Sequence, residues 1–336
     1  MGIRSRVKYF LKNAPKQLER SRARGNASST HWQRATDLFD GFDLVQADIY
    51  RQISGSKRGM IANVDEERTF VRLNSYPGYI LNNKSVFAQI MSANSLPGPK
   101  TFATFSNGKL AWEKTGLKDA KAHLNKDGRV IIKPTFGTQG QGIQLAKSIA
   151  EIEAYQDADS IVTEFIHQAD YSANIFADSL NTIRILSVRG RDGDHVLAGA
   201  VHRFGTSRSA PVDNMHAGGI AAEIHRESGI LSWALDRRPG NSAAPVEHHP
   251  ETGSPIAGVQ VEFWEDVKRL NHELGRVFSY FPIVGWDIAI TPDGPSVIEG
   301  NAFPGLALFQ FFGPFSRDPF LNDLLSQYFP KLNKAS

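Results

Sequence analysis

"GWDIAITPDGPSVIEGN", residues 285–301, decides how the fold is read. In its first half Trp286, Ile288 and Ile290 alternate with Asp287, so the apolar side chains share one face of a strand and the carboxylate takes the other. In its second half Val297, Glu299 and Asn301 share a parity, and Thr-Pro-Asp-Gly-Pro between the halves is turn chemistry. With residues 291–295 as the loop, Ile290 pairs with Ser296 and Asp287 falls opposite Glu299. Cross-strand Cβ atoms stand about 5 Å apart, where like charges destabilise one another. A hard cation held by Asp287, Glu299 and the amide oxygen of Asn301 would neutralise the pair with all-oxygen ligands, and nucleotide-bound magnesium is the usual occupant of such a site. A solvated edge hairpin is the plainer alternative, which the apolar neighbours on both runs oppose.

A second stretch, "VIIKPTFGTQGQGIQL" at residues 130–145, places Lys133 ahead of Gly137, Gly140 and Gly142. Glycines suit positive φ or close approach of the backbone to a ligand. The order is not that of a Walker loop, where the lysine follows the glycines, nor of a dinucleotide fingerprint. Ile143-Gln144-Leu145 alternates as a strand does. The segment therefore reads as a hairpin whose glycine-rich tip folds over a phosphate while Lys133 reaches it from the strand; an ordinary hairpin tip is the alternative.

Composition sets the frame. With 336 residues and 41% hydrophobic content, the chain can bury a sizeable core divided among two or three subdomains. It has no cysteine, which removes disulfides, thiolate metal sites and a cysteine nucleophile. No apolar run is long enough to span a membrane, and the basic N-terminus lacks the apolar core and cleavage site of a secretion signal. The cytoplasm is the expected compartment. The net charge of +3 conceals an asymmetry: residues 1–24 hold eight Lys or Arg against Glu19, a net of +7 that leaves −4 for the rest. Val7, Phe10, Leu11, Ala14 and Leu18 repeat there at helical spacing, the pattern of a basic amphipathic helix that touches an anionic membrane surface or acidic partner, or of a solvated terminal helix. Nucleic acid is not expected, because the body is mildly acidic and lacks interleaved aromatic and basic residues.

The chain is mixed α and β without repeats. Residues 31–80 read as helical at first and then irregular, closed by Pro77 and Gly78. "NNKSVFAQIMSANSLPGP" gives a helix with Asn82 or Asn83 as N-cap and a stop before Pro97. Strand signals follow at "RVIIK", "IVTEFI", "NTIRILSV" and "HVLAGAVHRF", and "VEFWEDVKRLNHELGRVFSYF" is the longest helical candidate. Gly, Pro, Ser, His and Asn crowd residues 206–257, which suggests functional loops more than a packed element.

A lysine-bearing glycine hairpin upstream and paired carboxylates on a downstream hairpin resemble the layout of the ATP-grasp superfamily. "KPTFGTQGQG" is similar to its lysine and glycine loop, "NNKSVF" to the start of the helix with the earlier nucleotide lysine, "IVTEFI" to its adenine-reading hinge and "DIAI…VIEGN" to its metal strand pair. "NTIRI", "VHRFG…VDNMHAGGIAAEI…SGIL" and "HPETGSPIAG" narrow the resemblance to the sugar-transfer-associated ATP-grasp branch, whose members belong to polysaccharide or glycoconjugate pathways. It covers roughly residues 75–315; the first seventy residues are only loosely similar. The implied fold class is α+β, two lobes clamping ATP: a basic helical region over 1–80, an N-terminal lobe with the glycine loop over 81–163, and a C-terminal lobe over 164–330 with the hinge, acceptor loop and magnesium site.

The resemblance implies roles. Lys84 and Lys133 would hold the α- and β-phosphates of ATP, with Gly137, Gly140 and Gly142 in the loop that closes over them. Glu164 would accept from the adenine amino group, Phe165 and Ile166 would supply hinge contacts, and Asp170 would bind the ribose. Asp287, Glu299 and Asn301 would hold Mg2+ against the phosphates. Surface or strand-edge roles for Lys84 and Glu164 are the plainer alternatives. Arg184 and Arg203 sit on apolar strands, where a guanidinium needs a partner: either a phosphate being transferred or a carboxylate of the sheet. In the "VDNMHAGGI" loop, Asp213, Asn214 and His216 would position the acceptor, with His216 or Asp213 as base. The activity these roles imply is an ADP-forming carboxylate–amine ligase working through an acyl phosphate, on a carboxylated sugar or amino acid as acid. A kinase acting on a hydroxyl, and a nucleotide-binding partner of a glycosyltransferase, remain open alternatives.

Overall fold

The computed structural model describes residues 7, 11, 12, 14, 15, 19, 30–137, 140–155, 157, 159–238, 242–330 and 332. Most of the basic segment over 1–24 lies outside them: Arg4, Arg6, Lys8, Lys16, Arg20, Arg22 and Arg24, with Phe10 and Leu18. Of its described residues, Val7 and Leu11 are exposed, whereas Ala14 is buried against Leu38 and Leu44. No helix of the described residues is long and apolar enough to cross a membrane.

Residues 31–82 are mainly helical, with 55–62 outside any helix, so helix resumes at Asn63 where the segment was expected to stay irregular. The helices His31–Asp40, Leu44–Ser54, Asn63–Asn74 and Gly78–Asn82 are separated by short punctuation. Thr30 and Gln33 form a capping box on the first, Gly41 ends it in the left-handed region, and Asp43 caps the second by accepting from Val45 and Gln46 N–H. Such breaks look like loss of helix in a sequence, although each one only redirects the chain. The next helix, Lys84–Ala93, takes Asn83 as its cap, the Asn83 side chain accepting from Val86 N at 3.0 Å.

Two antiparallel sheets follow. The first holds β1 (Thr101–Ser106), β2 (Lys109–Trp112), β3 (Val130–Pro134), β4 (Gln144–Ala146) and β5 (Ser160–Glu164) in the order β2-β1-β5-β3-β4. β3 pairs with β4 as expected, Val130 facing Ala146 and Ile132 facing Gln144, so the glycines occupy a hairpin tip. Phe102, Val130, Ile132, Ile152 and Val162 form a core on one face.

The second sheet holds β6 (Thr182–Arg189), β7 (His195–Phe204), β8 (Ile220–Ile224), β9 (Leu231–Arg238), β10 (Ser242–Val246), β11 (Ile283–Thr291) and β12 (Gly294–Asn301), ordered β10-β9-β8-β7-β6-β11-β12. Three of these strands lie in residues 206–257 and correct the reading of that stretch as mainly loops. They are short, and turn residues hide the alternation of Ile220, Ala222 and Ile224 with Ala221. The helix Trp264–Val277 covers one face through Val267, Leu270 and Leu274, packed with Ile183, Ile185, Trp286 and Ile288. On the other face Val201, Ala221, Leu235 and Ile283 pack with Tyr50, Phe70 and Phe309.

The deciding hairpin differs from expectation in one detail. β11 runs on to Thr291, which faces Gly294, and Ile290 faces Pro295 instead of Ser296. A bulge between Asp287 and Ile288 on the ladder restores the expected partnership of Asp287 with Glu299 while setting Val297 opposite Ile288. Val297 therefore joins the core and Glu299 faces the other way, against the shared parity predicted for them.

Leu274 is fully buried, and Leu145, at 48% exposure, is not. Leu274→Ala is expected to destabilise the protein by about 2–5 kcal/mol in urea titration, and Leu145→Ala by less than about 0.5 kcal/mol. Similar losses in both would contradict this core.

Candidate active site

A cleft of about 1660 Å³ opens between the sheets. From the first sheet, β3 presents Lys133, which is almost wholly buried, and Lys84 reaches in from the first turn of its helix. Lys84 donates from Nζ to Gly137 O at 2.8 Å and from its backbone N to Thr135 O at 3.0 Å, so it is tied to the hairpin tip. Burial pulls the Lys133 ammonium down to about 8; Glu299 opposes that shift and the neighbouring Lys84 adds to it. Burial lowers Lys84 as well, again against Glu299. Two cations short of counter-charge make a place for a polyanion.

The hairpin tip closes over this place. Gly140 has φ +74°, and a Cβ there would stand 2.5 Å from Val212 Cγ1, so only glycine lets the tip meet the loop leading into Asp213. Gly142, at φ +73°, would press a Cβ to 2.8 Å from Pro134; it supports the tip from outside the cleft lining.

The second sheet supplies the charged floor. Glu299, Asp287 and Arg184 lie side by side on three adjacent strands. Arg184 grips Asp287 with two donors, Nε to Oδ1 and Nη2 to Oδ2, the latter at 2.8 Å, and its Nη1 donates to Pro304 O at 3.0 Å. Arg203 Nη2 lies 3.1 Å from Asp287 Oδ2 and also donates to Thr182 Oγ1, while its Nε lies 3.4 Å from Asp213 Oδ2. Asp213 also accepts from Thr182 N at 2.8 Å and Thr182 Oγ1 at 2.6 Å.

The cation expected to neutralise Asp287 is therefore not required for that purpose, because two guanidinium groups already do so. Their charges hold the Asp287 carboxyl far below the usual range despite its burial. Glu299 goes the other way: burial, then the neighbouring Asp287, pushes its pKa up. Among the described residues no group of three or more His, Cys, Asp or Glu gathers to hold a metal. Glu299 and Asn301 on the cleft lining, beside Asp287, still fit a hard cation whose remaining oxygen ligands come from a phosphate.

Elsewhere the expected groups are already engaged. Glu164 Oε1 accepts from Lys100 N at 2.9 Å, the strand-edge role, and Phe165 N donates to His123 Nε2 at 3.0 Å. Glu164, Phe165 and Ile166 all line the cleft, and Arg129 lies over the Phe165 ring at 3.9 Å. Asp170 opens the helix Asp170–Ile175, exposed and outside the lining, where Asp178 stands instead. At the far end Asn214 caps the 3-10 turn Met215–Ala217 and accepts from His216 N at 2.8 Å. Of the two candidate bases, Asp213 is buried and bonded to Thr182 and Arg203, whereas His216 is exposed on the lining. Thr182, His123, Arg129 and the Pro304 carbonyl were not singled out from sequence. Thr182 carried a signal, since it shares Arg184's strand parity; a backbone carbonyl carries none.

Removing the charge at Asp287 strands two nearly buried guanidinium groups. Without ligand, Asp287→Asn is expected to cost about 3–5 kcal/mol in chemical denaturation. Glu299→Gln should be neutral or stabilising. A raised carboxyl pKa leaves no penalty below the usual carboxylate range and a full one at neutral pH, so the benefit of Glu299→Gln should appear as pH rises. Equal effects of the two substitutions would contradict the asymmetry.

Residues 153–317 match the family described as sugar-transfer associated ATP-grasp, and residues 63–168 match the tubulin-tyrosine ligase family. Among solved structures the chain is similar to the ATP-grasp ligase PsnB complexed with minimal precursor, Mg and ADP, at 13% identity over 78% of this chain and 62% of that one, TM-score 0.40. D-alanyl-alanine synthetase A from Vibrio cholerae gives 11% identity over 76% and 67%, TM-score 0.45. N5-carboxyaminoimidazole ribonucleotide synthetase from Thermotoga maritima gives 12% over 74% and 52%, TM-score 0.38. The chain thus spans about three-fifths of the length of the PsnB structure. No curated protein sequence matches it.

Proposed function

We propose that this chain, which belongs to the ATP-grasp superfamily, is an ADP-forming carboxylate–amine ligase that activates its acid as an acyl phosphate. The observation that carries the reading is the cleft's division of charge: Lys84 and Lys133, both held below their ordinary pKa by burial, face the Arg184–Asp287–Arg203 cluster and the raised Glu299. Such an arrangement suits a triphosphate lying along the cleft, with its transferring end toward the arginines.

In this reading Lys84 and Lys133 bind the nucleotide phosphates, and the Gly140 tip shields them from water. Arg184 and Arg203 stabilise the charge on the transferring phosphoryl group; their planar forks serve phosphate and carboxylate alike. Glu299, Asn301 and Asp287 would hold Mg2+, which supplies charge neutralisation at the phosphates. The acid oxygen attacks the terminal phosphorus, ADP leaves, and an amine displaces phosphate from the acyl carbon. No protein nucleophile is needed, and His216 would take the amine's proton, with Asp213 as the alternative base. The sugar-transfer-associated family favours a carboxylated sugar or amino acid as acid, within glycan or related small-molecule biosynthesis. The basic segment over 1–24 would dock the enzyme on an anionic surface.

The test is ADP release from the purified protein with Mg-ATP, a panel of sugar acids and amino acids, and hydroxylamine as surrogate amine. Acid-dependent release with a hydroxamate product is expected, reduced by about 100-fold or more in Lys133→Met and Glu299→Gln. A stable phosphorylated acceptor without hydroxamate would replace the ligase by a kinase. Release indifferent to both substitutions would place the chemistry elsewhere.

A further inference from the structure

A second cavity, of about 500 Å³, lies apart from the active-site cleft, and the two linings share no residue. Its position follows from strand register. The row that carries Glu299, Asp287 and Arg184 continues through Val201 to Glu223. Residues directly opposite one another share a face, so Glu223 lies on the active-site face of the sheet, two strands or about 10 Å from Arg184. The short helix Ala307–Gln310 sits across this face. Its Ala307 and Leu308 line the active-site cleft, and Phe309 lines the second cavity.

Three observations define what the cavity can hold. Glu223 is half-buried in its wall, and no hydrogen bond or ion pair engages its carboxylate among the described residues. Burial raises its pKa, and the nearby charges of His225 and Arg226 offset that only in part. Arg226 does not fill the gap, being paired with Asp318 and stacked on Phe320. The lining is also aromatic: it includes Phe309, Phe312 and Phe315, and Phe309 approaches so closely that a Cβ on Gly199 would stand 3.0 Å from its ring. Finally, β7 lacks a neighbour here. Its pairing with β8 ends at Val201 and Glu223, so Gly199 and Ala200 are laddered to β6 alone and present a free strand edge to the cavity.

We propose that this second cavity binds a small organic ammonium ion, its nitrogen held by Glu223 and the β7 edge and its apolar body enclosed by Phe309, Phe312 and Phe315. An unpaired carboxylate beside phenyl faces selects a cation with a hydrocarbon body, through charge-assisted hydrogen bonds and cation–π attraction. An anion would meet Glu223 as a like charge, and of the arginines on the lining, Arg226 is already paired with Asp318. No three His, Asp or Glu among the described residues gather to hold a bare metal ion. The site stands independently of the ligase reading. An occupant touches Phe309, so it presses on the helix that also walls the active-site cleft.

The experiment is calorimetric titration of benzylammonium chloride into the purified protein without nucleotide, with benzyl alcohol as the uncharged counterpart. The wild-type protein is expected to bind benzylammonium at least about tenfold more tightly than the alcohol. Glu223→Gln should weaken benzylammonium by a similar factor; because the carboxylate has no hydrogen bond to lose, the variant should unfold at the same or a higher temperature. Phe312→Leu keeps an apolar wall without a ring and should also weaken benzylammonium, a readout that stands if Glu223→Gln folds poorly. No binding by the wild type at millimolar ligand, or equal affinity for amine and alcohol, would overturn the proposal. So would affinity unchanged by both substitutions. None of these readouts depends on ADP release, so failure here leaves the ligase reading untouched.

Discussion

One carboxylate between two guanidinium groups organises this protein. Asp287 sits 3% exposed in the seven-stranded sheet, bonded to Arg184 from β6 and approached by Arg203 from β7. A buried charge is tolerated only when paired and hydrogen-bonded, so these three side chains fix one another. Arg184 also binds Pro304 O, which carries the constraint into the loop after β12, and Arg203 reaches Asp213, which carries it into the acceptor loop. Both loops line the cleft because the ion-paired floor holds them there. Glu299, next in the row, has its pKa raised first by burial and then by the neighbouring Asp287.

The helical N-terminal region belongs to the same construction. Glu66 accepts from Leu306 N at 3.0 Å, at the start of the helix that separates the two cavities. Asn74 donates to Ile283 O and Ala302 O, at the near ends of the two strands that carry Asp287 and Glu299. Gln310 bonds with both Ile61 N and Ile61 O. Burial pushes the Glu66 carboxyl up to about 7 even though Leu306 N–H stabilises its ionised form. The helical N-terminal region thus braces one wall of the site.

How much of this was legible in the sequence depended on distance along the chain. The glycine hairpin was readable because residues 130–145 contain both strands and their tip. Asp287 opposite Glu299 was readable for the same reason, although the route was wrong by one residue: the bulge and the tighter Thr291–Gly294 turn compensate for each other. Strands β8, β9 and β10 were hidden by turn residues, since short strands offer too few alternations to outweigh Gly, Ser and His between them. The partners of Asp287 were the largest omission. Arg184 is about a hundred residues upstream, and local sequence could say only that a guanidinium on an apolar strand needs a partner. Glu164 and Phe165 show the converse limit: the motif placed them at the cleft, but their use by Lys100 N and His123 is a tertiary fact.

The central claim is that the buried lysines form a place made for phosphate, and proton linkage tests it most directly. Lys133, held near about 8, is only partly protonated at pH 8, and a bound phosphate would complete its charging. Calorimetric titration of ADP at pH 8, in two buffers of different ionisation heat, should show uptake of about half a proton per nucleotide, and Lys133→Met should lose that uptake. Nucleotide binding without proton uptake, or with the same uptake in Lys133→Met, would contradict the account.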